Sequence, residues 1–262
     1  YLDLKLQRST DRNYLNTYNY KHSDILETSF KLGTHRKRNF YSIGSYLMQD
    51  LRANVKRENK PKIFPLLTFD LNSESKSNKI NLNTRGEFVS LHRSEGVETT
   101  KFFINQNFFY PTILADGTAV EAGVHLNAGF YNINKYNNPN NGNFEYEKNI
   151  VNAYPIFSIK LNKPYFKNSK KYTTIFEPNI MFIKSNKNAF NRSLPDENNI
   201  NNFELDYFDI FNINRLSGFD RVDSQSRVDY GIKFRKKSKQ DEFISEISIA
   251  QSYQIEKQAY MQ

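Results

Sequence analysis

Residues 118–131 read TAVEAGVHLNAGFY, in which apolar and polar side chains alternate one by one. Successive side chains of a β-strand point to opposite faces, so this period of two predicts a strand. One face would carry Val120, Ala122, Val124, Leu126, Ala128 and Phe130, and the other Glu121, Gly123, His125, Asn127, Gly129 and Tyr131. The predicted strand is long and has one apolar and one polar face, and the rest of the chain repeats both features.

The same alternation runs along almost the whole chain and predicts an all-β protein of about eleven strands. The strands are predicted near residues 1–10, 22–33, 39–51, 63–72, 79–93, 97–113, 118–133, 150–162, 171–184, 225–235 and 241–256. No segment shows the 3.6-residue period of an amphipathic helix. Many of these strands exceed the usual length of about 5–6 residues and reach the roughly 9–11 residues that a membrane-spanning strand needs.

The connections between the predicted strands alternate between two kinds. The mostly short ones are 34–38, 73–78, 115–117, 163–170 and 236–240, and the long or polar ones are 11–21, 52–62, 134–149 and 185–224, with a tight exception at 94–96. Short turns at one end and longer loops at the other are typical of outer-membrane barrels, whose longer loops lie outside the cell. The sorting favours an antiparallel up-and-down transmembrane β-barrel, of which these strands form a part.

The two faces alone do not separate this fold from a soluble sandwich. In a sandwich the apolar face packs inward, whereas in a membrane barrel it meets lipid and the polar face lines the lumen. A soluble all-β binding protein therefore remains an alternative. The mean hydropathy of −0.74 is compatible with either fold, since only one face of each strand is apolar.

Composition excludes several classes of function. The 262 residues include no Cys, which excludes a disulfide scaffold, a thiolate metal site and a cysteine nucleophile. The four histidines lack metal-ligand spacing, and no nucleophile elbow, phosphate loop or dinucleotide fingerprint occurs. We therefore expect neither an enzyme nor a cofactor. The net charge of +9 raises the possibility of nucleic-acid binding, but the cations concentrate in predicted turns at 34–38, 167–171 and 235–239, which we interpret as solvated, with no nucleic-acid partner.

One block carries a specific resemblance. Residues 211–232 read FNINRLSGFDRVDSQSRVDYGI and are similar to the Asn-Arg-Phe-Ser-Gly-Tyr-Asp-Arg-Val-Glu block of the lipopolysaccharide-assembly outer-membrane protein family, LptD or OstA. Further landmarks follow in the family's order at 11–15, 64–66, 93–96, 176–178 and 251–253, so the resemblance covers nearly the whole chain and is closest to α-proteobacterial members. The chain departs from the family at 152–155, where members usually carry an Arg shortly before the Pro.

The resemblance implies that residues 1–262 are the central part of a C-terminal outer-membrane β-barrel domain. A periplasmic N-terminal β-jellyroll and the terminal barrel strands would then lie outside this chain. It further implies a translocon that inserts lipopolysaccharide into the outer leaflet of the Gram-negative outer membrane. The implied partners are lipopolysaccharide, a plug lipoprotein inside the barrel, a periplasmic β-jellyroll bridge protein and membrane lipid on the outer face. A different outer-membrane barrel, such as a porin or adhesin translocator, is the nearest alternative.

Two groups of candidate residues follow. A polar wall facing the lumen is predicted from Arg85, Glu87, Lys101, Glu121, His125, Asn127, Arg227 and Lys233, whose cations would favour anionic phosphate groups. The alternative is that these side chains simply face water or the plug. An ordered extracellular lid is predicted around Arg215, Gly218, Phe219, Asp220 and Arg221, with Gly218 at positive φ and Asp220 paired to Arg221 or Arg227.

Overall fold

The structure is a computed structural model of the chain. It describes all residues except 21–23, 53–59, 75–79, 94–95, 138–143, 186–205, 217, 219–222, 224–225, 239–242 and 256–262. None of the helices among the described residues is long and apolar enough to cross a membrane.

Strands dominate the described residues. They are β1 (Leu2–Lys5), β2 (Ile25–Arg36), β3 (Asn39–Asp50), β4 (Lys62–Glu74), β5 (Asn81–His92), β6 (Glu98–Ile113), β7 (Ala119–Asn137), β8 (Phe144–Asn162), β9 (Tyr165–Asn168), β10 (Tyr172–Ser185), β11 (Arg227–Ser238) and β12 (Phe243–Gln254). Two short helices accompany them, α1 (Tyr14–Thr17) and α2 (Tyr207–Ile210). The long strands are those that the alternating pattern predicts.

The strands form one sheet whose order follows the chain, β1-β2-β3-β4-β5-β6-β7-β8-β10-β11-β12, with β9 paired to β10. The pairs whose register is resolved are antiparallel, as in Gly231↔Ala250 between β11 and β12. The predicted all-β, antiparallel, up-and-down architecture is confirmed. Gly231 lies where the strands approach closely, because an added Cβ would stand 2.7 Å from the Ile249 carbonyl oxygen.

Three sequence-based boundaries differ from the structure. The predicted loop 134–149 is largely strand, since β7 continues to Asn137 and β8 begins at Phe144. Its Asn-rich composition is typical of a loop, although apolar and polar residues alternate again in residues 144–147, which read FEYE. The predicted turn 163–170 contains the short strand β9, and the first predicted strand is reduced to Leu2–Lys5.

The chain divides into two compact units. The first comprises residues 1–73, 83–105 and 128–152, and the second comprises 74–82, 106–127 and 153–262. In the first unit the buried Asp50 carboxylate forms ion pairs with Arg52 Nη2 at 2.7 Å and with Lys60 Nζ at 2.9 Å. In the second unit Tyr154, Ile156, Met181, Ile183 and Phe211 form an apolar cluster.

Burial along the strands is the inverse of that in a soluble sheet. On β11 the charged side chains Arg227, Asp229 and Lys233 are buried, while Tyr230, Ile232 and Phe234 on the other face are exposed. On β7 the same division separates buried His125 and Asn127 from exposed Leu126 and Phe130. A soluble protein hides its apolar face, whereas a membrane barrel presents it to lipid. The burial pattern therefore favours the membrane barrel over the sandwich.

The turn between β6 and β7 is fixed by one carboxylate. Asp116 Oδ1 accepts the Thr118 backbone N–H at 3.0 Å, and Asp116 Oδ2 accepts Lys163 Nζ at 2.6 Å. Gly117 supplies the positive φ of +82° that the turn requires. Lys163 begins the connection from β8 to β9, so the ion pair ties two connections of the second unit together.

The ion pair with Lys163, followed by the hydrogen bonds from Thr118, lowers the pKa of Asp116 to about 2 from its ordinary 3.8. Because the folded-state pKa is depressed, the contribution to stability is present above pH 3.8 and is lost as the pH falls towards 2. We expect NMR titration of the Asp116 carboxyl carbon to give this value, and Lys163→Gln to raise it towards 3.8. An unchanged pKa in Lys163→Gln would contradict the assignment to the ion pair.

Candidate functional site

The eight predicted wall residues lie on four strands and do not form a single cluster. Arg85 and Glu87 lie on β5, Lys101 on β6, Glu121, His125 and Asn127 on β7, and Arg227 and Lys233 on β11. Lys101, His125, Asn127, Arg227 and Lys233 are buried, Glu87 is half-buried, and Arg85 and Glu121 are exposed. Three local networks contain four of the eight, namely Glu87, Lys101, His125 and Arg227.

The first network pairs β5 with β6. Lys101 Nζ lies 3.4 Å from Glu87 Oε1, and both side chains are largely buried. Nearby on β5, Arg85 donates from Nε to Asp70 of β4 at 3.0 Å, but the Arg85 side chain is more than half exposed. The Lys101–Glu87 pair therefore neutralises its own charges within the sheet, whereas Arg85 remains accessible to solvent.

The second network is centred on His125 and links three consecutive strands. His125 Nδ1 lies 2.7 Å from Asn107 Oδ1 on β6, and Nε2 lies 3.0 Å from Ser158 Oγ on β8. A nucleophile, an imidazole and an amide also occur in this order in the Cys-His-Asn triads of papain-like proteases. Here His125 and Ser158 are both buried, with 2% and 7% of their surfaces exposed. The arrangement satisfies buried polar groups and holds the strands together, which is the ordinary role of such a network.

A segment following β10 folds back over the polar face of the second unit. We call residues 206–216 the inner strap. Its helix α2 is capped by Asp206, whose Oδ1 accepts the backbone N–H groups of Phe208 at 2.7 Å and Asp209 at 2.8 Å. Asp206 therefore satisfies two of the amide groups that a helix start leaves unpaired.

The inner strap is attached to the sheet by apolar packing. Phe211 is 8% exposed and belongs to the cluster of Tyr154, Ile156, Met181 and Ile183 on β8 and β10. Tyr207 packs at its edge, and its hydroxyl accepts a hydrogen bond from Asn179 Nδ2 at 2.9 Å. Burial raises the pKa of Tyr207, so the phenol stays neutral at ordinary pH. The strap thus covers apolar side chains that would otherwise stand on the polar face.

The third network, at the start of β11, fixes the end of the strap through Arg227. Arg227 Nε donates to Asp229 at 2.9 Å, Nη1 to Asp223 at 2.9 Å, and Nη2 to the Asn212 carbonyl oxygen at 2.5 Å. Both Arg227 and Asp229 are 0% exposed. A guanidinium suits this position because its donors form a rigid planar fork.

Arg215 completes the network from the strap side. Its Nε donates to Asp223 Oδ2 at 2.5 Å and its Nη1 to Ser252 Oγ on β12 at 3.0 Å. Ser252 in turn donates to Asp229 Oδ1 at 2.5 Å. Two arginines and two aspartates thus form an electrically neutral network that joins the strap to β11 and β12.

The strap also presents exposed groups. Phe208 of α2 is 62% exposed, and the Lys233 ammonium of β11 lies 4.4 Å from its ring centroid. Lys233 pairs with Glu246 of β12 at 2.9 Å, and Glu246 also lies near Arg235. Since Lys233 is already held by a carboxylate and a ring, its charge is largely balanced locally.

The predicted lid residues are only partly described. Gly218 is exposed with a φ of +80°, and Arg215 lies in the network above. Phe219, Asp220 and Arg221 lie outside the described residues, so the predicted pairing of Asp220 stays a prediction.

The described carboxylate partners of Arg227 are Asp223 and Asp229, which the sequence analysis did not single out. The sequence does contain a signal for Asp229, because opposite charges two residues apart lie on the same face of a strand. Phe211 gave no such signal, since its role depends on where the strap folds. Within the described part of the chain, no group of three or more His, Cys, Asp or Glu side chains could hold a metal ion.

Comparison with known proteins gives one family. A family model described as LptD, LPS transport system D, matches residues 1–262, which is the entire sequence. A search of curated proteins finds no match. The block at 211–232 that carries the sequence resemblance is also the block that supplies Phe211, Arg215, Asp223 and Arg227 of the strap and its network. The chain belongs to the LptD family of lipopolysaccharide transport proteins.

Proposed function

We propose that this chain forms the central wall of an outer-membrane β-barrel that inserts lipopolysaccharide into the outer leaflet of a Gram-negative outer membrane. The observation that carries the proposal is the inverted burial of β7 and β11 in a chain of this family. An apolar outer face suits lipid, and a polar inner face suits the sugars and phosphates of lipopolysaccharide. The chain would belong to the C-terminal barrel domain of a protein with a periplasmic β-jellyroll.

In this proposal the polar wall is a surface along which the saccharide moves. Most of its buried cations are paired locally, as Lys101 is with Glu87 and Lys233 with Glu246. A wall of paired charges and amides offers many weak hydrogen bonds but no position of strong electrostatic attraction. An anionic glycolipid can therefore move along it without being bound tightly at one place. A plug lipoprotein and a periplasmic β-jellyroll bridge protein are the partners that the proposal requires.

Photochemical cross-linking in the full-length protein tests this proposal. Benzoylphenylalanine replaces Phe208, which is exposed on the inner strap, and in a matched variant Phe176, which is exposed on the apolar face of β10. With benzoylphenylalanine in place of Phe208, we expect lipopolysaccharide adducts only while lipopolysaccharide is being supplied. With benzoylphenylalanine in place of Phe176, we expect adducts with membrane lipid that do not depend on that supply. An assembled protein with no lipopolysaccharide adduct at Phe208 would reject the proposed path.

We further propose that the strap and the residues around it act as an ordered lid over the polar face. The support is the anchoring of the strap by Phe211 and by the paired arginines Arg215 and Arg227. A segment held at both an apolar and an ionic contact has much less conformational freedom than a free loop.

Replacing residues 203–223 of the full-length protein by a Gly/Ser linker of equal length is expected to impair assembly, because the linker supplies neither contact. Heat-modifiable electrophoretic mobility reports barrel folding, and surface labelling reports delivered lipopolysaccharide. A linker replacement in the connection at 138–143, which leaves the strap intact, is the control. Unchanged folding and unchanged surface lipopolysaccharide after the 203–223 replacement would exclude the lid.

A further inference from the structure

The positive charge of the chain is concentrated in the short connections. The five short connections carry formal charges of +3 (34–38), 0 (73–78), −1 (115–117), +3 (163–170) and +3 (236–240), which together account for +8 of the net charge of +9. The remaining residues carry only +1 in sum. A solvated turn needs only polarity, so the excess of positive charge in three of the five connections requires a separate explanation.

Two of these connections, both in the second unit, place their lysines in one row. Thr174 of β10 pairs with Lys167 of β9 on one side and with Lys236 of β11 on the other. Residues directly opposite one another on neighbouring strands point to the same face, and each strand spacing is about 4.8 Å. The two lysines therefore stand on the same face of the sheet with their Cα atoms about 10 Å apart.

That face is the apolar one. Phe176, two residues after Thr174, lies on the same side of β10, and Phe234 lies on the same side of β11 as Lys236. Both phenylalanine side chains are exposed. Along β11 towards its turn, the exposed ring of Phe234 is therefore followed two residues later by Lys236 on the same face. This order matches the passage from hydrocarbon to headgroup at a membrane surface.

Two tyrosines mark the boundary. Tyr165 pairs with Phe176 across the strands and is exposed, and the Lys236 ammonium lies 4.2 Å from the ring centroid of Tyr172. Tyrosine rings are enriched at the headgroup level because they combine an apolar body with a polar hydroxyl. The lysines therefore lie beside a residue type that is typical of the headgroup level.

The turn between β9 and β10 adds two further cations on a hydrogen-bonded backbone. Ser169 and Tyr172 close it through Ser169 N–H to the Tyr172 carbonyl oxygen at 2.8 Å and Tyr172 N–H to Ser169 Oγ at 3.1 Å. Lys170 and Lys171 occupy the tip and are exposed. Lys163 in the same connection is different, because Asp116 already neutralises it.

We propose that Lys167, Lys170, Lys171 and Lys236, with Tyr165 and Tyr172, bind the phosphate headgroup of an anionic phospholipid in the bilayer leaflet at the short-turn end. We call these six residues the lipid patch. The proposal rests on the barrel orientation given above, in which short turns are periplasmic and the adjacent leaflet is phospholipid. Juxtamembrane lysines are attracted to anionic lipid headgroups, which zwitterionic lipids do not reproduce.

The test measures lipid retention by the purified full-length protein. The protein in a neutral detergent is titrated with phosphatidylglycerol or phosphatidylcholine, and bound lipid is counted by native mass spectrometry. The variant is Lys167→Gln/Lys170→Gln/Lys171→Gln/Lys236→Gln. The control, Lys5→Gln/Arg8→Gln/Lys62→Gln/Lys184→Gln, removes the same number of positive charges from residues that do not belong to the lipid patch.

We expect the variant to bind phosphatidylglycerol at least about tenfold more weakly, with phosphatidylcholine binding unchanged and the control equal to the wild type. Equal phosphatidylglycerol binding in variant and wild type overturns the proposal. An equal loss in the control also overturns it, because net charge would then be responsible. Displacement of phosphatidylglycerol by inorganic phosphate at low millimolar concentration would likewise overturn it, since it would indicate a free-phosphate site.

A second variant keeps the test decisive if the fourfold variant fails to fold. Lys170→Gln/Lys171→Gln changes only the tip of the turn, whose side chains are exposed. We expect it to lose about half of the free-energy difference between phosphatidylglycerol and phosphatidylcholine binding. An unchanged difference would contradict the lipid patch. Because this assay involves no transport, its failure leaves the cross-linking result at Phe208 unaffected, and the two proposals fail separately.

Discussion

Replacing Arg227 by alanine in the full-length protein is expected to destabilise the fold by about 3–5 kcal/mol, because it leaves a buried carboxylate without its cation. Asp229 is fully buried, and after the substitution it would keep only the hydroxyl of Ser252 as a described partner. The carbonyl oxygens of Asn212 and Ile213 would also lose their donor. Guanidinium-induced unfolding in phospholipid vesicles measures the change.

Three further variants separate the causes of that loss. Arg227→Lys is expected to recover little, because one ammonium cannot reproduce three donors in a plane. Arg227→Met combined with Asp229→Leu is expected to recover most of the stability, since it removes both buried charges. Arg85→Ala, at an exposed ion pair with Asp70, should cost less than about 1 kcal/mol. Equal losses of unfolding free energy in Arg227→Ala and Arg85→Ala would show that the buried network stabilises the fold no more than an exposed ion pair does.

Phe211→Ala is expected to release the inner strap without unfolding the sheet. Truncating a buried phenylalanine to alanine lowers the stability of the packed state by about 3–5 kcal/mol. Phe211 supplies the apolar contact of the strap with β8 and β10. A loss of about 3 kcal/mol in the stability of the docked strap raises the equilibrium constant for its local opening roughly a hundredfold. Hydrogen exchange of the backbone amides of residues 206–216 is therefore expected to accelerate by that factor, while exchange in β10 and β11 stays slow.

Phe208→Ala is the matched control for this prediction. The two phenylalanines are three residues apart in one segment, but Phe208 is exposed and Phe211 is buried. We expect Phe208→Ala to change strap exchange by less than about fivefold, since only exposed ring contacts with Lys233 and Tyr207 are lost. Similar acceleration in both variants would mean that Phe211 is not the anchor.

The alternation of side chains was sufficient to predict the all-β class and the long strands. In β7 and β11 each polar position of the sequence pattern occupies one face, and burial then shows which face is turned inward. Burial is what the sequence could not provide, because a sandwich and a membrane barrel share the same period of two. The Asn-rich end of β7 was missed because its composition is typical of loops.

The candidate site was predictable only where it follows the strand period. Lys101, His125, Asn127 and Arg227 were expected on the polar face and are buried there. The strap was not predictable in detail, because its packing brings Phe211 against Met181 and Ile183, some thirty residues away in sequence. Contacts of that kind depend on the path of an irregular segment, and no local period records them.

The order of the strands has a consequence for the rate at which this chain assembles. Every strand on the main path pairs with the next one available in sequence, so hairpins can be added one after another, and most closures involve short spans. The closure of β10 with β11 is different, because residues 186–226 lie between them, about twenty times more than between β2 and β3. Each doubling of a loop adds about 0.6 kcal/mol of closure entropy. The inner strap, by docking on β8 and β10 first, would shorten the remaining search and act as an internal guide for β11.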